Sequence, residues 1–594
     1  MHPRLAARLA ASILLVSLGA GCGREPAPGA GDADSGHADP TPRTAQANAA
    51  VLDALPFEDD ADFAAARRGF VAAREDPVIR DAQGREVWNV DDFDFVEGDA
   101  PASVNPSLWR QAKLNGMHGL YEVTPGIWQV RGYDLANMTF VAGDLGWIVI
   151  DPGTTIETGR AALDLANEQL GERPVTGLVY THSHIDHFGG ARGVLPDPGD
   201  TPVIAPEGFV VEAVSENVLA GTTMSRRASY MFGFLLHRGA RGHVDSGLGK
   251  ASTPGTFSLV APTRFVDHTP TEITVDGVRM VFQNTPGAEA PAEMMIWLPE
   301  KHALCGAENV SHVLHNLYTL RGAKVRDALR WSNYIQDTID RFGGEVEVLF
   351  ASHHWPTWGN AEIVEYLKRQ RDAYKYLHDQ TLRLANHGET MIEIAEQLEL
   401  PERLARDFAL RGYYGTVNHD AKAVYQHYFG FFDGVPAHLN PLPPAEAAVH
   451  YVEFMGGGEA LLAKARASYE RGEYRWVAEV VNHLVFAEPE NAEAKALLAD
   501  AYDQLGYQAE SGPWRDFYLT GAKELREGRV PLPFETTGSS DIVAAMPSDL
   551  FFDALAVRLN GPKAEGEAMT LNFVFTDVGE THVVWVENAV LHHR

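Results

Sequence analysis

Between Thr181 and His187 the chain reads Thr-His-Ser-His-Ile-Asp-His, three imidazoles and a carboxylate in close succession. The apolar run Gly177-Leu-Val-Tyr180 directly before it reads as a short buried strand. The ligand-type atoms then sit on a loop at the carboxyl end of a strand, where open α/β sheets place their sites. His182 and His184 alternate, so their rings can point the same way, while Asp186 and His187 follow on the turn and can face a second point in space. One loop can thus serve two adjacent metals. Imidazole nitrogen and carboxylate oxygen suit Zn²⁺ and related first-row divalent ions. The bland alternative, a polar loop with scattered histidines, leaves this ordered set of four unexplained.

Length and charge frame the site. At 594 residues the chain exceeds one hydrophobic core and predicts about three to four domains. The formal net charge of -32 excludes nucleic acid as a natural partner, since no basic excess is available for phosphates. It says little about a small anionic substrate, because metals and one arginine can make a cationic pocket on an acidic body.

The N-terminus has the order of an export signal. Arg4 and Arg8 start it, and Leu9 to Leu18 is apolar but too short to span a bilayer as a mature helix. Gly19-Ala-Gly21 then precede Cys22, which resembles a bacterial lipoprotein signal with Cys22 lipidated. An ordinary secretory signal is the alternative. Both predict an exported protein, in the periplasm or cell envelope, with lipid anchoring in the first case. The other cysteine is Cys305, so acylation of Cys22 leaves no intrachain disulfide. Residues 23–50 are rich in Ala, Gly, Pro, Asp and Thr and predict a disordered tether. Residues 51–120 predict a wrapping arm with a helix near Asp62–Arg74.

A folded domain is expected from Tyr121. Thr124–Val130, Met138–Ala142 and Trp147–Asp151 read as strands, Glu157–Leu170 as a helix and Val175–Tyr180 as a strand. Strand, helix, strand and His loop in this order resemble the metallo-β-lactamase superfamily, an αββα sandwich of the α/β class, over residues 121–360. The resemblance gives Asp151 the role of bracing the metal loop from behind. It also implies ligands at three later strand ends. After Pro286-Gly287, where the superfamily often has histidine, this chain offers Glu289, with Glu293 as the nearby competitor. After the strand His302–Cys305, Glu308 takes the bridging position. After Val346–Ser352, His353 is the expected last ligand and His354 is structural. The implied centre is dinuclear: His182, His184 and Glu289 at one metal, Asp186, His187 and His353 at the other, Glu308 between them. Two such ions, roughly 3.5 Å apart, can share a hydroxide and polarise an oxyanion.

Finer motifs point to one branch. Met224-Ser-Arg-Arg-Ala-Ser-Tyr-Met-Phe-Gly233, Ser246-Gly-Leu-Gly-Lys250, Ala307-Glu-Asn309, His315-Asn-Leu-Tyr-Thr-Leu-Arg-Gly322 and Ala351-Ser-His-His-Trp355 closely resemble the linear, class III alkylsulfatases, which hydrolyse sodium dodecyl sulfate. The resemblance implies two Zn²⁺ per chain and hydrolysis of long-chain alkyl sulfate esters to alcohol and inorganic sulfate. It gives Arg321 the role of clamping sulfate oxygens with its planar fork. It makes the loop Ser246, Gly247, Gly249 and Lys250 the second sulfate contact, and it places His419 where it could protonate the leaving oxygen or hold the ester. A phosphoester or lactam hydrolase of the same fold, and a non-catalytic lipid-binding envelope protein, are the competing functions.

From 361 to about 530 the composition turns helical. Ala467 and Gly472 recur as Ala501 and Gly506, as in one tetratricopeptide-type helix pair. This stretch resembles the alkylsulfatase dimerisation domain and implies a homodimer. From 535, a helix over Ser548–Leu559 and strands over Met569–Phe575 and His582–Val586 resemble the start of a sterol-carrier-type α+β domain. Its arrest at Arg594 predicts a partial, truncated sheet with an open edge.

Overall fold

The computed structural model describes residues 36–529, 531 and 538–594. The signal, Cys22 and the first part of the expected tether lie outside them.

Two sheets stacked face to face carry the site. In spatial order the first holds Phe70–Ala72, Gly119–Thr124, Ile127–Arg131, Met138–Ala142, Trp147–Ile150, Val175–Val179, Val203–Pro206 and Arg264–Val266. The second holds Thr271–Val275, Val278–Asn284, Met294–Leu298, Ala303–Cys305, Val348–Phe350 and Thr357–Trp358. Period-two alternation explains the layering. In Trp147-Ile-Val-Ile150, Ile148 and Ile150 pack with Phe282, Ile296 and Phe350 of the other sheet. Trp147 and Val149 face the opposite way and pack with Ala162, Leu165 and Ala166 of the helix Ile156–Leu170. That helix starts at Thr155, whose side chain and that of Thr158 cap each other's backbone N–H groups, and it stops at Gly171, φ 96°. On the far face, Trp331 and Ile335 of Ala328–Phe342 and Leu367 of Asn360–Asn386 cover Trp297 and Leu304. The result is the expected αββα order, with the parallel strands Trp147–Ile150 and Val175–Val179 ending together at the His loop.

The N-terminal region departs from expectation. Pro42–Ala54 is a helix rather than tether, and its buried Thr44 and Asn48 dock far along the chain. Thr44 donates to Gln504 at 2.8 Å, and Asn48 donates to the carbonyls of Ala102 and Tyr507, both at 3.0 Å. Its Ala-rich sequence lacks an apolar stripe because the contacts are hydrogen bonds. The expected helix near Asp62–Arg74 is shorter, Ala61–Arg67, because Gly69 turns the chain at φ 76° against the Glu122 carbonyl. Phe70–Ala72 then joins the first sheet beside Gly119–Thr124, so the sandwich begins before Tyr121.

The helices Gly458–Glu470, Tyr474–Ala487, Ala492–Gln508 and Gly512–Glu527 form a separate apolar cluster built on Val477, Val481, Leu484 and Leu498. At the end, the antiparallel strands Met569–Phe575, Glu580–Glu587 and Val590–His593 pack on Phe552 of the helix Ser548–Ala556. Among the described residues no helix is long and apolar enough to cross a membrane.

Candidate metal centre

Asp151 ends its strand at φ 54°, a left-handed conformation that few non-glycine residues adopt. Its carboxylate accepts from the Thr181 amide at 2.8 Å, the Thr181 hydroxyl at 2.7 Å, His187 Nδ1 at 3.0 Å and the Ser352 hydroxyl at 2.8 Å. One buried carboxylate thus fixes the ring of His187 and ties the His loop to the strand end beside His353. Ala307, φ 50°, and His354, φ 63°, are left-handed too, each next to a predicted ligand. Strain held at three such positions is a mark of a functional site.

The structure brings all seven predicted ligands together, in two groups: His182, His184, Glu289 and Glu308, and Asp186, His187, Glu308 and His353. Glu308 Oε2 is common to both, lying 3.2 Å from Nε2 of His182, of His187 and of His353. Glu289 Oε2 lies 3.4 Å from His182 Nε2 and 3.1 Å from His184 Nδ1, and Asp186 Oδ2 lies 3.1 Å from His187 Nε2. Nε2 of His182, His187 and His353 and Oε2 of Glu289 are buried and make no hydrogen bond. Such atoms are costly unless something else binds them. The spacing identifies what would. Ligands held at about 2.0–2.1 Å around a tetrahedral ion are about 3.3 Å apart. The residues therefore fit a pair of first-row divalent cations with one bridging carboxylate.

The charge distribution agrees. Burial opposes ionisation of Asp186, Glu289 and Glu308, yet His187, Arg326 and His353 respectively hold each carboxyl below its ordinary range. Burial also opposes charging of His187, but Asp186 and Asp151 raise it well above the usual imidazole value. Glu293, the competitor to Glu289, is not a ligand in this arrangement. Its Oε2 accepts from the amides of Glu289, at 2.9 Å, and Ala290, at 3.2 Å, and shapes the ligand turn.

An outer layer orients the ligands. His182 Nδ1 donates to Thr181 Oγ1 at 2.9 Å, and His353 Nδ1 donates to the Leu135 carbonyl at 3.1 Å, which leaves each Nε2 for a metal. His315 Nε2 donates to Glu308 Oε1 at 2.9 Å. Arg326, 5 % exposed, pairs with Glu289 Oε1 and donates to the Glu289 and Asn316 carbonyls. Sequence reading gave no role to Arg326 or to the imidazole of His315. Their only signal was two side chains with ligand-orienting chemistry close after Glu308.

A cleft opens over the cluster. Its lining includes the polar side chains of Arg321, Glu216, Asn217 and Tyr414 and the apolar ones of Met224, Phe232, Phe234, Leu248 and Phe257. Arg321, the expected anion clamp, is thus placed at the cleft. Glu216 and Asn217 reach the cleft from a π-helical turn, Ser215–Leu219, a distortion often found at functional sites. Burial, reinforced by Glu308, pushes the Tyr414 phenol far above its usual value, so it keeps its proton and can donate.

Three family models match: the metallo-beta-lactamase superfamily over residues 131–353, alkyl sulfatase dimerisation over 390–528 and alkyl sulfatase C-terminal over 536–594. A linear primary-alkylsulfatase of Pseudomonas sp is 51 % identical, over 93 % of this chain and 83 % of the relative. The chain belongs to the alkylsulfatase family. An (R)-specific secondary-alkylsulfatase of Pseudomonas sp is 48 % identical over 93 % of this chain and 84 % of its own length. The solved structure of a stereoselective inverting sec-alkylsulfatase from Pseudomonas sp superposes with TM-score 0.91 at 47 % identity, covering 94 % of this chain and 88 % of that one.

Within this alkylsulfatase, two expected groups of site residues lie elsewhere. The Ser246 hydroxyl donates back to the Gly249 carbonyl at 2.7 Å, inside its own loop. Lys250 Nζ is buried, donates to the Ala112 carbonyl at 3.0 Å and sits 4.8 Å over the Phe93 ring. Gly247 and Gly249 are small because the Tyr413 and Leu135 carbonyls press on them; a Cβ would meet those oxygens at 2.3 Å and 2.5 Å. The loop is packing, and only Leu248 of it lines the cleft. His419 is likewise not brought to the cluster. It bonds the Tyr318 carbonyl through Nε2, stacks on the Tyr318 ring and lines a different groove with Trp514. Burial lowers its pKa to about 4, so it is neutral and braces the segment that carries Arg321.

Proposed function

We propose that this chain hydrolyses long-chain alkyl sulfate monoesters to alcohol and inorganic sulfate, with two zinc ions held by His182, His184, Glu289, Asp186, His187, His353 and the bridging Glu308. One observation carries the reading: a single cleft joins the ligand cluster, the Arg321 guanidinium and an apolar wall. Its relatives, named as alkylsulfatases, support it. When bound, the ions supply positive charge that acidifies a water and polarises the ester. The chain does the rest. Arg321 binds the sulfate oxygens. Tyr414 holds a proton on Oη beside them. Phe232, Phe234 and Phe257 take the alkyl chain, where each buried methylene contributes about 0.8 kcal/mol.

Further parts of the proposal are a homodimer and export. Exposed Phe431, Leu439, Tyr451, Phe454 and Trp476 in the matched dimerisation region support the first. The basic start at Arg4 and Arg8 and the apolar run to Leu18 support the second, with anchoring if Cys22 is lipidated.

The decisive experiment is sulfate release from sodium dodecyl sulfate before and after chelation, with zinc restored. Release that stops on chelation and returns with zinc is expected. A folded protein with two bound metals and no release would move the activity to another ester. Hydrolysis in ¹⁸O water then locates the attack: label in sulfate means attack at sulfur, label in alcohol means attack at carbon.

A further inference from the structure

Arg321 does not face the cleft alone. Glu216 places Oε2 2.7 Å from Arg321 Nη1, and both side chains line the same cavity. Its other oxygen lies 3.8 Å from His184 Nε2, beyond hydrogen-bond reach. Burial works against the charge on Glu216, but Arg321 outweighs it and holds the carboxyl below its ordinary range. The other guanidinium at the cleft, Arg326, is engaged by Glu289. An incoming anion therefore meets a cation already matched by a fixed negative charge.

That arrangement separates two ester classes of nearly the same shape. An alkyl sulfate carries one negative charge at every ordinary pH. A phosphate monoester carries close to two at neutral pH, because its second proton leaves near pH 6. Among the described residues lining the cleft, both guanidinium groups are already paired, so the second charge approaches the Glu216 carboxylate instead. We propose that Glu216 is a specificity-determining residue that makes the Arg321 subsite select singly charged sulfate esters and sulfonates over doubly charged phosphate monoesters. The inference rests on Arg321 being the sulfate holder of the proposed alkylsulfatase reaction. It gives the π-helical turn a purpose, since that turn aims Glu216 into the cavity.

The test uses the metal-loaded full chain and its Glu216→Gln and Glu216→Asp variants. Dodecanesulfonate, always a monoanion, and dodecyl phosphate are titrated at pH 7.5 as inhibitors of dodecyl sulfate cleavage and, by calorimetry, as ligands. In Glu216→Gln the preference for sulfonate over phosphate should fall about tenfold or more, while Glu216→Asp keeps it and metal content stays equal. A residue that merely steadied Arg321 would weaken both ligands alike. On the unaltered protein, dodecyl phosphate should gain about 20-fold relative to dodecanesulfonate between pH 7.5 and 5.5, as its second proton returns. A flat ratio in this arm overturns the inference even if the Gln variant does not fold. An unshifted preference in Glu216→Gln, or a flat ratio against pH, overturns the inference alone. Absence of dodecyl sulfate cleavage by the unaltered protein overturns the alkylsulfatase reading and the inference with it.

Discussion

Arg326 is buried with its guanidinium divided between Glu289 and the Asn316 carbonyl, so it holds a ligand without being one. Outer partners of this kind typically contribute about 10–100-fold in metal affinity. Arg326→Ala should weaken divalent-metal binding by that factor in a competition titration, with Glu289 left unoriented. His419 makes a different prediction. Its folded pKa of about 4 lies below the ordinary 6.5, so between those values the unfolded chain binds the extra proton. Stability should therefore fall by about 3 kcal/mol as the pH drops from 6.5 to 4. Thermal melts across that range should lose this component of the slope in His419→Gln. Residues of these two kinds differ in how they show in a sequence. His182, His184, Asp186 and His187 are legible because one loop holds them all. Arg326 and Glu216 are not, because their partners Glu289 and Arg321 lie far along the chain and no local spacing marks the pairing.

Elements were legible where burial imposes a period. Trp147–Ile150 and Ile156–Leu170 read correctly because each has one face against a sheet or a helix. Pro42–Ala54 did not, because a helix held by Thr44 and Asn48 has polar anchors and no apolar stripe. Asn48→Ala would leave the Ala102 and Tyr507 carbonyls without their donor, at about 1–3 kcal/mol. A lower melting temperature with unchanged metal content is the expected result. The turn Ser215–Leu219 was invisible for another reason. A π-turn follows neither the helical nor the strand period, so no pattern in the sequence marks Glu216 and Asn217.

At the scale of the molecule, the catalytic sandwich is held by segments remote from it in sequence. Arg192, just past the His loop, pairs with Asp541 at 2.7 Å, and Ile542 is buried in the first sheet's outer core. The most exposed aromatic residues, Phe431 and Phe454, lie instead on the helical region. If these residues form the proposed dimer contact, replacing Phe431 and Phe454 by Asp should give monomers in sedimentation while leaving metal content unchanged. The docking of Pro42–Ala54 also sets an order in time. Its helix leaves the ribosome early, yet Gln504 and Tyr507, which receive it, follow about 460 residues later. The segment must wait, without its partners, while the metal sandwich and most of the helical region are built. A segment made before the sandwich is thus fastened only after the helical region that receives it has been made.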